Sequence, residues 1–112
     1  MVSTWLNGLV SGTAFSYAAY FAGGATATDQ VDKFAFPADI HSVLAVGLSA
    51  NTTSLAGAAN AGSAAYFAGG YSGSAVDTVD KLAFVDDSRS TLGTGLSSAR
   101  GGLAGAANSG TA

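Results

Sequence analysis

The chain has 112 residues, a length that allows one ordinary domain with a modest hydrophobic core. It contains seven Asp, no Glu, four Lys plus Arg and one His, and its net charge of −3 excludes the basic surface typical of nucleic-acid-binding proteins. The absence of Cys excludes disulfide bonds and thiolate metal sites, and no apolar run approaches the ~18 residues of a membrane span.

Most of the sequence consists of two copies of one unit. The first pair of matching segments is 46 residues apart, whereas the other three pairs are 48 residues apart. This change marks a two-residue insertion between Gly70 and Val79, which indicates a loop. The matching segments are Ala19–Gly24 with Ala65–Gly70, Val31–Phe36 with Val79–Phe84, Gly47–Ser49 with Gly95–Ser97, and Leu55–Asn60 with Leu103–Asn108.

The repeat divides the chain into three parts. Residues 1–17 form a partial, decayed copy, residues 18–63 form the first unit, and residues 64–112 form the second unit. Which strand the partial copy represents stays open, because two alignments compete. They match Ser3–Leu9 to Ser90–Leu96, or Leu9–Tyr17 to Leu55–Ser63.

Each unit contains four candidate strands, separated by turn residues such as Gly-Gly, Asn-x-Gly and Asp-Asp-Ser. The Ala-rich stretches could form helices by propensity alone, but no stretch keeps a 3.6-residue apolar period over about ten residues. We therefore predict an all-β fold. The predicted strands are Leu55–Asn60, Ala65–Gly69, Val79–Phe84 and Ser90–Leu96.

Large side chains occur on both faces of the predicted strands. Phe34 and Phe36 share one face of their strand, whereas the adjacent Tyr20 and Phe21 point to opposite faces. A sheet with large residues on both faces is typical of a propeller blade, which packs between two neighbouring blades. The small residues of Leu55–Asn60 suit the innermost strand, beside the crowded axis.

The order of these features resembles kelch-type β-propeller repeats. Val31–Phe36 and Ser90–Arg100 are more specifically similar to kelch-like repeats of phage virion proteins, those of cyanophages especially. The resemblance implies a kelch-like β-propeller with about two four-stranded blades per chain, and a virion location if the protein comes from a phage. The features, in the order of the family, are Arg100, Leu103–Asn108, Tyr66–Gly70, Val79–Leu82 and Ser88–Leu96.

Two blades are too few for a complete propeller, which closes with about four to eight. An isolated pair would expose Phe34, Phe36, Phe67 and Phe84 in part, so we expect a cyclic homo-oligomer. A trimer with six blades is preferred to a tetramer with eight, because the small inner strand indicates a crowded axis. Leu103–Asn108 has no blade of its own and is predicted to complete the first blade of a neighbouring subunit.

No residue is assigned a catalytic, cofactor-binding or metal-binding role. His41 is the only histidine, and with Asp39 it could belong to a Ser-His-Asp arrangement. The second unit has no His at the equivalent position, and no motif surrounds His41. These observations favour a loop histidine without a catalytic role.

Four carboxylates could bind Ca²⁺: Asp77, Asp80, Asp86 and Asp87. No EF-hand pattern surrounds them, and in the first unit Ala38 and Asp39 stand at the positions of the last two. We therefore interpret them as polar turn residues rather than as metal ligands.

Two further repeated motifs have structural interpretations. The residues of Asp32-Lys33 and of Asp80-Lys81 point to opposite faces, so each pair is predicted to make a polar contact between blades, with a lysine or a backbone amide. A ring of charges around the channel is the alternative. Gly23-Gly24 and Gly69-Gly70 lack the helix and lysine of a phosphate-binding loop, so they are predicted to permit a turn.

The leading hypothesis for function is a non-enzymatic structural or binding module, a symmetric propeller assembled from short chains. It suits a phage virion or host-recognition repeat, or an excised or engineered propeller fragment. Its expected partner is a second copy of itself, and a surface glycan or protein is a possible further ligand. We do not expect it to bind nucleic acid, a membrane, a cofactor or a metal. The alternatives are an enzyme with a symmetric site at the ring centre and an Ala/Gly-rich fibrous or ice-binding protein.

Overall fold

The computed structural model of the protein describes residues 17–108, and these residues form antiparallel β-sheets without a helix. The first sheet has three strands, and each pairs with the next along the chain. The predicted all-β class is therefore confirmed. The three strands are β1 (Tyr17–Ala22), β2 (Val31–Phe36) and β3 (Ile40–Val43).

The second sheet has four strands in the order β4-β5-β8-β9, and a small hairpin, β6-β7, interrupts it between β5 and β8. The hairpin occupies the segment that carries the two-residue insertion, where a loop was expected. The strands are β4 (Ala56–Asn60), β5 (Ala64–Ala68), β6 (Tyr71–Ser72), β7 (Ser74–Ala75), β8 (Val79–Ala83) and β9 (Ser88–Thr91).

The predicted fourth strand, Ser90–Leu96, is wrong in both of its bounds, because β9 runs from Ser88 to Thr91. The strand starts early because a tight turn over residues 84–87 returns the chain at once to β8. It ends at Thr91, opposite Asp80, because β8 begins only one residue before Asp80, at Val79. Beyond β9 the chain no longer pairs as a strand, and isolated backbone hydrogen bonds hold it instead, such as that from Leu96 N to Asp77 O at 2.8 Å.

The predicted strand Leu103–Asn108 has no strand pairing within the described residues. Gly105 lies against β4, where an added Cβ would be 2.9 Å from the carbonyl oxygen of Gly57. The proposed partial copy at residues 1–17 lies outside the described residues, apart from Tyr17. Among the described residues, the first sheet therefore has no counterpart of β4.

The core is small and joins the two sheets. Val31 and Leu48 of the first unit are buried together with Ala65 and Leu82 of the second. Partly buried side chains surround this cluster, and they come from both units. They are Tyr20, Ala22, Leu44, Leu55, Phe67 and Phe84.

Two glycines, one directly after β1 and one directly after β5, allow segments about 30 residues further along the chain to approach closely. Gly23 and Gly69 adopt positive φ angles of 72° and 68°, a region that strongly favours glycine. An added Cβ at Gly69 would be 2.6 Å from the carbonyl oxygen of Arg100. The positive φ angles agree with the backbone freedom predicted for the chain where it leaves these strands, and Gly70 also has a positive φ, of 98°.

Candidate functional site

The two sheets meet through a group of polar and aromatic side chains, which we call the inter-sheet contact. It contains two carboxylates of the second unit, each of which accepts hydrogen bonds from the first unit. The contact consists of Tyr20, Lys33 and Ser49 of the first unit and Asp80, Phe84 and Asp87 of the second.

Asp87 forms the outer part of the contact. It lies in the turn before β9 with a φ of 56°, and its two carboxylate oxygens accept from different donors. Tyr20 Oη donates to Oδ1 at 2.7 Å and Lys33 Nζ donates to Oδ2 at 2.6 Å. The two donors are register partners on β1 and β2, and the Tyr20 ring stacks on Phe84 with centroids 5.6 Å apart. One turn carboxylate thus holds two strands of the neighbouring sheet.

Asp80 forms the inner part of the contact and is only 5% exposed. The backbone N–H and the hydroxyl of Ser49 both donate to its Oδ2 at 2.9 Å, and Thr91 Oγ1 donates to Oδ1 at 2.7 Å. A buried carboxylate requires such donors, because an unsatisfied charge away from water is costly. The expected contact between the repeated acid and a backbone amide of the other unit is therefore observed for Asp80.

Two pKa values are raised by the geometry around Asp87. Burial raises the pKa of Tyr20 above its ordinary value, and the hydrogen bond to Asp87 raises it further. The hydrogen bond to Asp87 likewise raises the pKa of Lys33 above its ordinary value. The folded protein therefore holds both protons more tightly than the unfolded chain does.

We expect the free energy of unfolding to decrease as the pH rises above about 10, because the unfolded chain loses these two protons first. The stabilisation is complete below the ordinary pKa values and is lost as the pH passes the raised values. Urea unfolding at a series of alkaline pH values measures this loss. A double variant with Tyr20→Phe and Lys33→Met should show a weaker dependence on pH, and an unchanged dependence would contradict the assignment.

His41 lies in β3 at the exposed edge of the first sheet. Its Nε2 is 2.9 Å from Asp32 Oδ1, and its ring contacts Phe34 with centroids 5.0 Å apart. The hydrogen bond from His41 is the main cause that lowers the pKa of Asp32. Within residues 17–108, no serine hydroxyl bonds to the His41 ring and no hydrogen bond joins it to Asp39, so the arrangement lacks an oriented nucleophile.

The four Asp residues considered for Ca²⁺ are not brought together. Asp86 accepts from the N–H and the hydroxyl of Ser88, which lowers the pKa of Asp86, and its neighbour Asp87 faces the first sheet. No group of three or more side chains suited to a metal ion occurs in the described part of the chain. Asp86 is the turn residue that was predicted, whereas Asp80 and Asp87 connect the two units.

Two hollows lie beside the inter-sheet contact. A cavity of about 110 Å³ lies beside Asp80 and is lined by apolar side chains such as Leu48 and Phe67 and by polar ones such as Ser49 and Thr52. A wider groove of about 340 Å³ separates β1 from β4 and β5. Its walls include Ala18, Ala19, Gly57, Ala58 and Ala59, which leave room for a further segment of backbone.

The sequence-based interpretation missed Asp87 and Ser49 as contact residues. A signal for both was present, because Asp39 and Ser97 stand 48 residues from them in the other unit. A polar residue that is kept in both copies, next to segments that match, indicates a shared position in the structure.

No protein-family model matches the chain, and comparison with curated proteins finds no match. In the part of the chain that the structure describes, no helix has the length and apolar character required to cross a bilayer. The geometry of the two sheets and of the contact between them is therefore what supports a functional proposal.

Proposed function

We propose that the protein is a non-enzymatic, self-assembling structural or binding module. Each chain supplies about two blades of a kelch-like β-propeller, and copies of the chain close the ring, with three chains and six blades preferred. The observation that carries this proposal is the set of large apolar side chains exposed on the first sheet. They are Tyr17, Phe21, Phe36, Ile40 and Val43, each between 48% and 65% exposed.

A soluble monomer rarely exposes so many large apolar side chains on one small sheet. Phe36 illustrates what covers such a residue, because its repeat equivalent, Phe84, stacks on Tyr20 of the other sheet. Phe36 itself is 48% exposed, since no further sheet lies beside β2 on that side within residues 17–108. A second copy of the chain supplies the missing sheet.

Within residues 17–108 the first sheet has three strands and the second has four, and this difference supports an exchange of strands between copies. Ala104–Asn108 repeats the sequence of β4, and β4 pairs with β5 from Ala56 opposite Ala68 to Asn60 opposite Ala64. The same register would place Ala104–Asn108 opposite residues 18–22 of the partner subunit. The groove beside β1 is lined by alanine and glycine together with Tyr20, Phe67 and Phe84, and this strand would enter it.

The contact is heterologous, because it joins the second unit of one copy to the first unit of the next. Repetition of such a contact produces a closed ring when the rotation between copies divides a full turn, and a filament otherwise. The blades of a propeller are related by such a rotation. We therefore expect a closed ring of fixed mass.

Light scattering coupled to size exclusion tests the proposal. We expect one species with three times the mass of the 10.8 kDa protomer, and four times that mass would indicate eight blades. Dilution should dissociate the ring, since association stabilises a protomer by mass action. A folded species with the mass of one protomer at all concentrations would contradict self-assembly.

Removal of residues 104–112 tests the exchange of strands. We expect the shortened chain to remain as smaller species at concentrations where the full chain is assembled, because the first sheet of each copy loses its fourth strand. Removal of residues 109–112 alone is the matched control and should leave the mass unchanged. Equal assembly of both shortened chains would show that the segment is not exchanged.

The binding part of the proposal requires a separate measurement. A glycan array probed with the assembled protein would detect recognition of a surface glycan, and we expect signal that is lost when the ring is dissociated. Among the described residues, an enzymatic role would have to start from the pair of His41 with Asp32. Hydrolysis of a model ester that His41→Ala abolishes would favour that alternative over a binding module.

A further inference from the structure

The inter-sheet contact occurs once within the described chain, yet the sequence contains all of its side chains twice. The second unit repeats the donors and the first unit repeats the acceptors, so one additional contact remains unformed. The unused donors are Tyr66, Lys81 and Ser97, which correspond to Tyr20, Lys33 and Ser49. The first unit contains Asp32, Phe36 and Asp39, which correspond to Asp80, Phe84 and Asp87. Asp32 already accepts hydrogen bonds from His41 and Gln30, whereas Phe36 would contribute a ring to stack on rather than an acceptor.

The outer donors of the second unit have the same arrangement as those of the first. Tyr66 and Lys81 are register partners on β5 and β8, and Lys81 Nζ lies 5.9 Å from the centre of the Tyr66 ring. The corresponding distance from Lys33 to Tyr20 is 5.7 Å. Within residues 17–108, Lys33 has a carboxylate partner, whereas Lys81 has none. A cation and a phenol are thus positioned for a carboxylate that the described chain does not supply.

Asp39, the counterpart of Asp87 in the first unit, occupies a similar position in its own turn. Asp39 has a φ of 58° and Asp87 has 56°, so the two residues share the left-handed φ region at corresponding positions of the repeat. Phe36 lies three residues before Asp39, as Phe84 lies three residues before Asp87, and its side chain is 48% exposed and can stack on a tyrosine. The carboxylate of Asp39 and the ring of Phe36 therefore have the same spacing in the sequence as Asp87 and Phe84, which bind Tyr20 and Lys33, the counterparts of Tyr66 and Lys81.

A second, inner pair supports the same register. The N–H of Leu48 donates to Asp29 O at 2.7 Å, and the N–H of Leu96 donates to Asp77 O at 2.8 Å in the other unit. The next residues, Ser49 and Ser97, therefore follow equivalent backbone hydrogen bonds. Ser49 donates to Asp80, and the equivalent acceptor for Ser97 is Asp32. One oxygen of Asp32 accepts from His41 at 2.9 Å, and the other has a longer contact, 3.4 Å from Gln30 Nε2.

We infer that a second copy of the chain docks in one register, with the partner's Asp39 bound between Tyr66 and Lys81 and with Ser97 donating to the partner's Asp32. The ring of the partner's Phe36 then stacks on Tyr66. This inference rests on the proposed self-assembly and adds the residues that hold it together. Two independent sets of residues, at the two ends of one contact, select the same register, and a single acidic ligand would satisfy only the outer set.

Charge reversal tests the register. Lys81→Asp places a carboxylate opposite the partner's Asp39, and Asp39→Lys places an ammonium opposite the partner's Lys81. Each single variant should need a protomer concentration about tenfold or more above that of the wild type for half-assembly, because like charges meet at the contact. The double variant with Lys81→Asp and Asp39→Lys restores opposite charges and should recover most of the lost assembly.

Asp29→Lys is the control, since it makes the same change of charge on an exposed residue of the first unit that lies outside the inter-sheet contact and outside the proposed interface. It should assemble as the wild type does, and far-ultraviolet circular dichroism should show that all variants keep their strands. Assembly of both single variants at the wild-type concentration would overturn this register while self-assembly stands. A wild-type protein of one protomer mass would instead overturn the proposed function.

Discussion

Leu82→Ala is expected to lower the free energy of unfolding by about 2–5 kcal/mol, the range for truncation of a buried leucine. Leu82 is 2% exposed in β8 and belongs to the cluster that joins the two sheets, together with Val31, Leu48 and Ala65. Because the buried core is small, the loss of one leucine removes a large share of it. Urea unfolding followed by circular dichroism, at a fixed protomer concentration, measures the effect.

Val85→Ala is the control for this substitution, because Val85 is 92% exposed and lies in the turn three residues later. It should change the free energy of unfolding by less than about 0.5 kcal/mol. A Leu82→Ala variant as stable as Val85→Ala would show that the joint core contributes little. The position of the two sheets relative to each other would then depend on the polar contact instead.

Gly95→Ala is expected to destabilise the protein by about 1–3 kcal/mol, as overpacking does. An added Cβ at this position would overlap the carbonyl oxygen of Asp77, which accepts the N–H of Leu96. The substitution therefore separates the segment after β9 from the start of β8 and displaces Ser97, a residue of the proposed interface. Both the midpoint of urea unfolding and the protomer concentration at half-assembly should change.

Gly93→Ala provides a close comparison two residues earlier. A Cβ at Gly93 would have no heavy atom within 4 Å, and the residue does not have a positive φ. Alanine is therefore accommodated there and should be neutral or slightly stabilising, since it restricts the unfolded chain. Equal destabilisation by the two substitutions would contradict the close approach between Gly95 and the Asp77 carbonyl.

The strands with turn residues on both sides were predictable from the sequence. The predictions for β4, β5 and β8 differ from the structure by one residue at each affected end, because glycines, asparagine and aspartates limit these strands. The fourth strand was not predictable in the same way. Its end depends on where its neighbour β8 begins, and this is a property of the pairing rather than of the local sequence.

The candidate site was predictable only in part. The alternation of Asp80 and Lys81 along one strand predicted that they face different partners, and Asp80 indeed accepts from a backbone amide of the other unit. The local sequence of Asp87 indicates only a turn, because its donors, Tyr20 and Lys33, are 67 and 54 residues away. Contacts over such separations depend on how the two sheets pack, which the spacing of one motif does not encode.

The β6-β7 hairpin is present in one unit only, and its tip at Gly73 has no heavy atom within 4 Å of an added Cβ. In the proposed ring, every second blade would therefore carry a projection, all of them on the same rim. The ring would thus display the same short hairpin loop several times at fixed intervals. A cell surface or capsid with a repeated receptor would then bind several copies of the loop at once. The strength of binding would depend on avidity, the sum of several weak contacts, rather than on one strong contact.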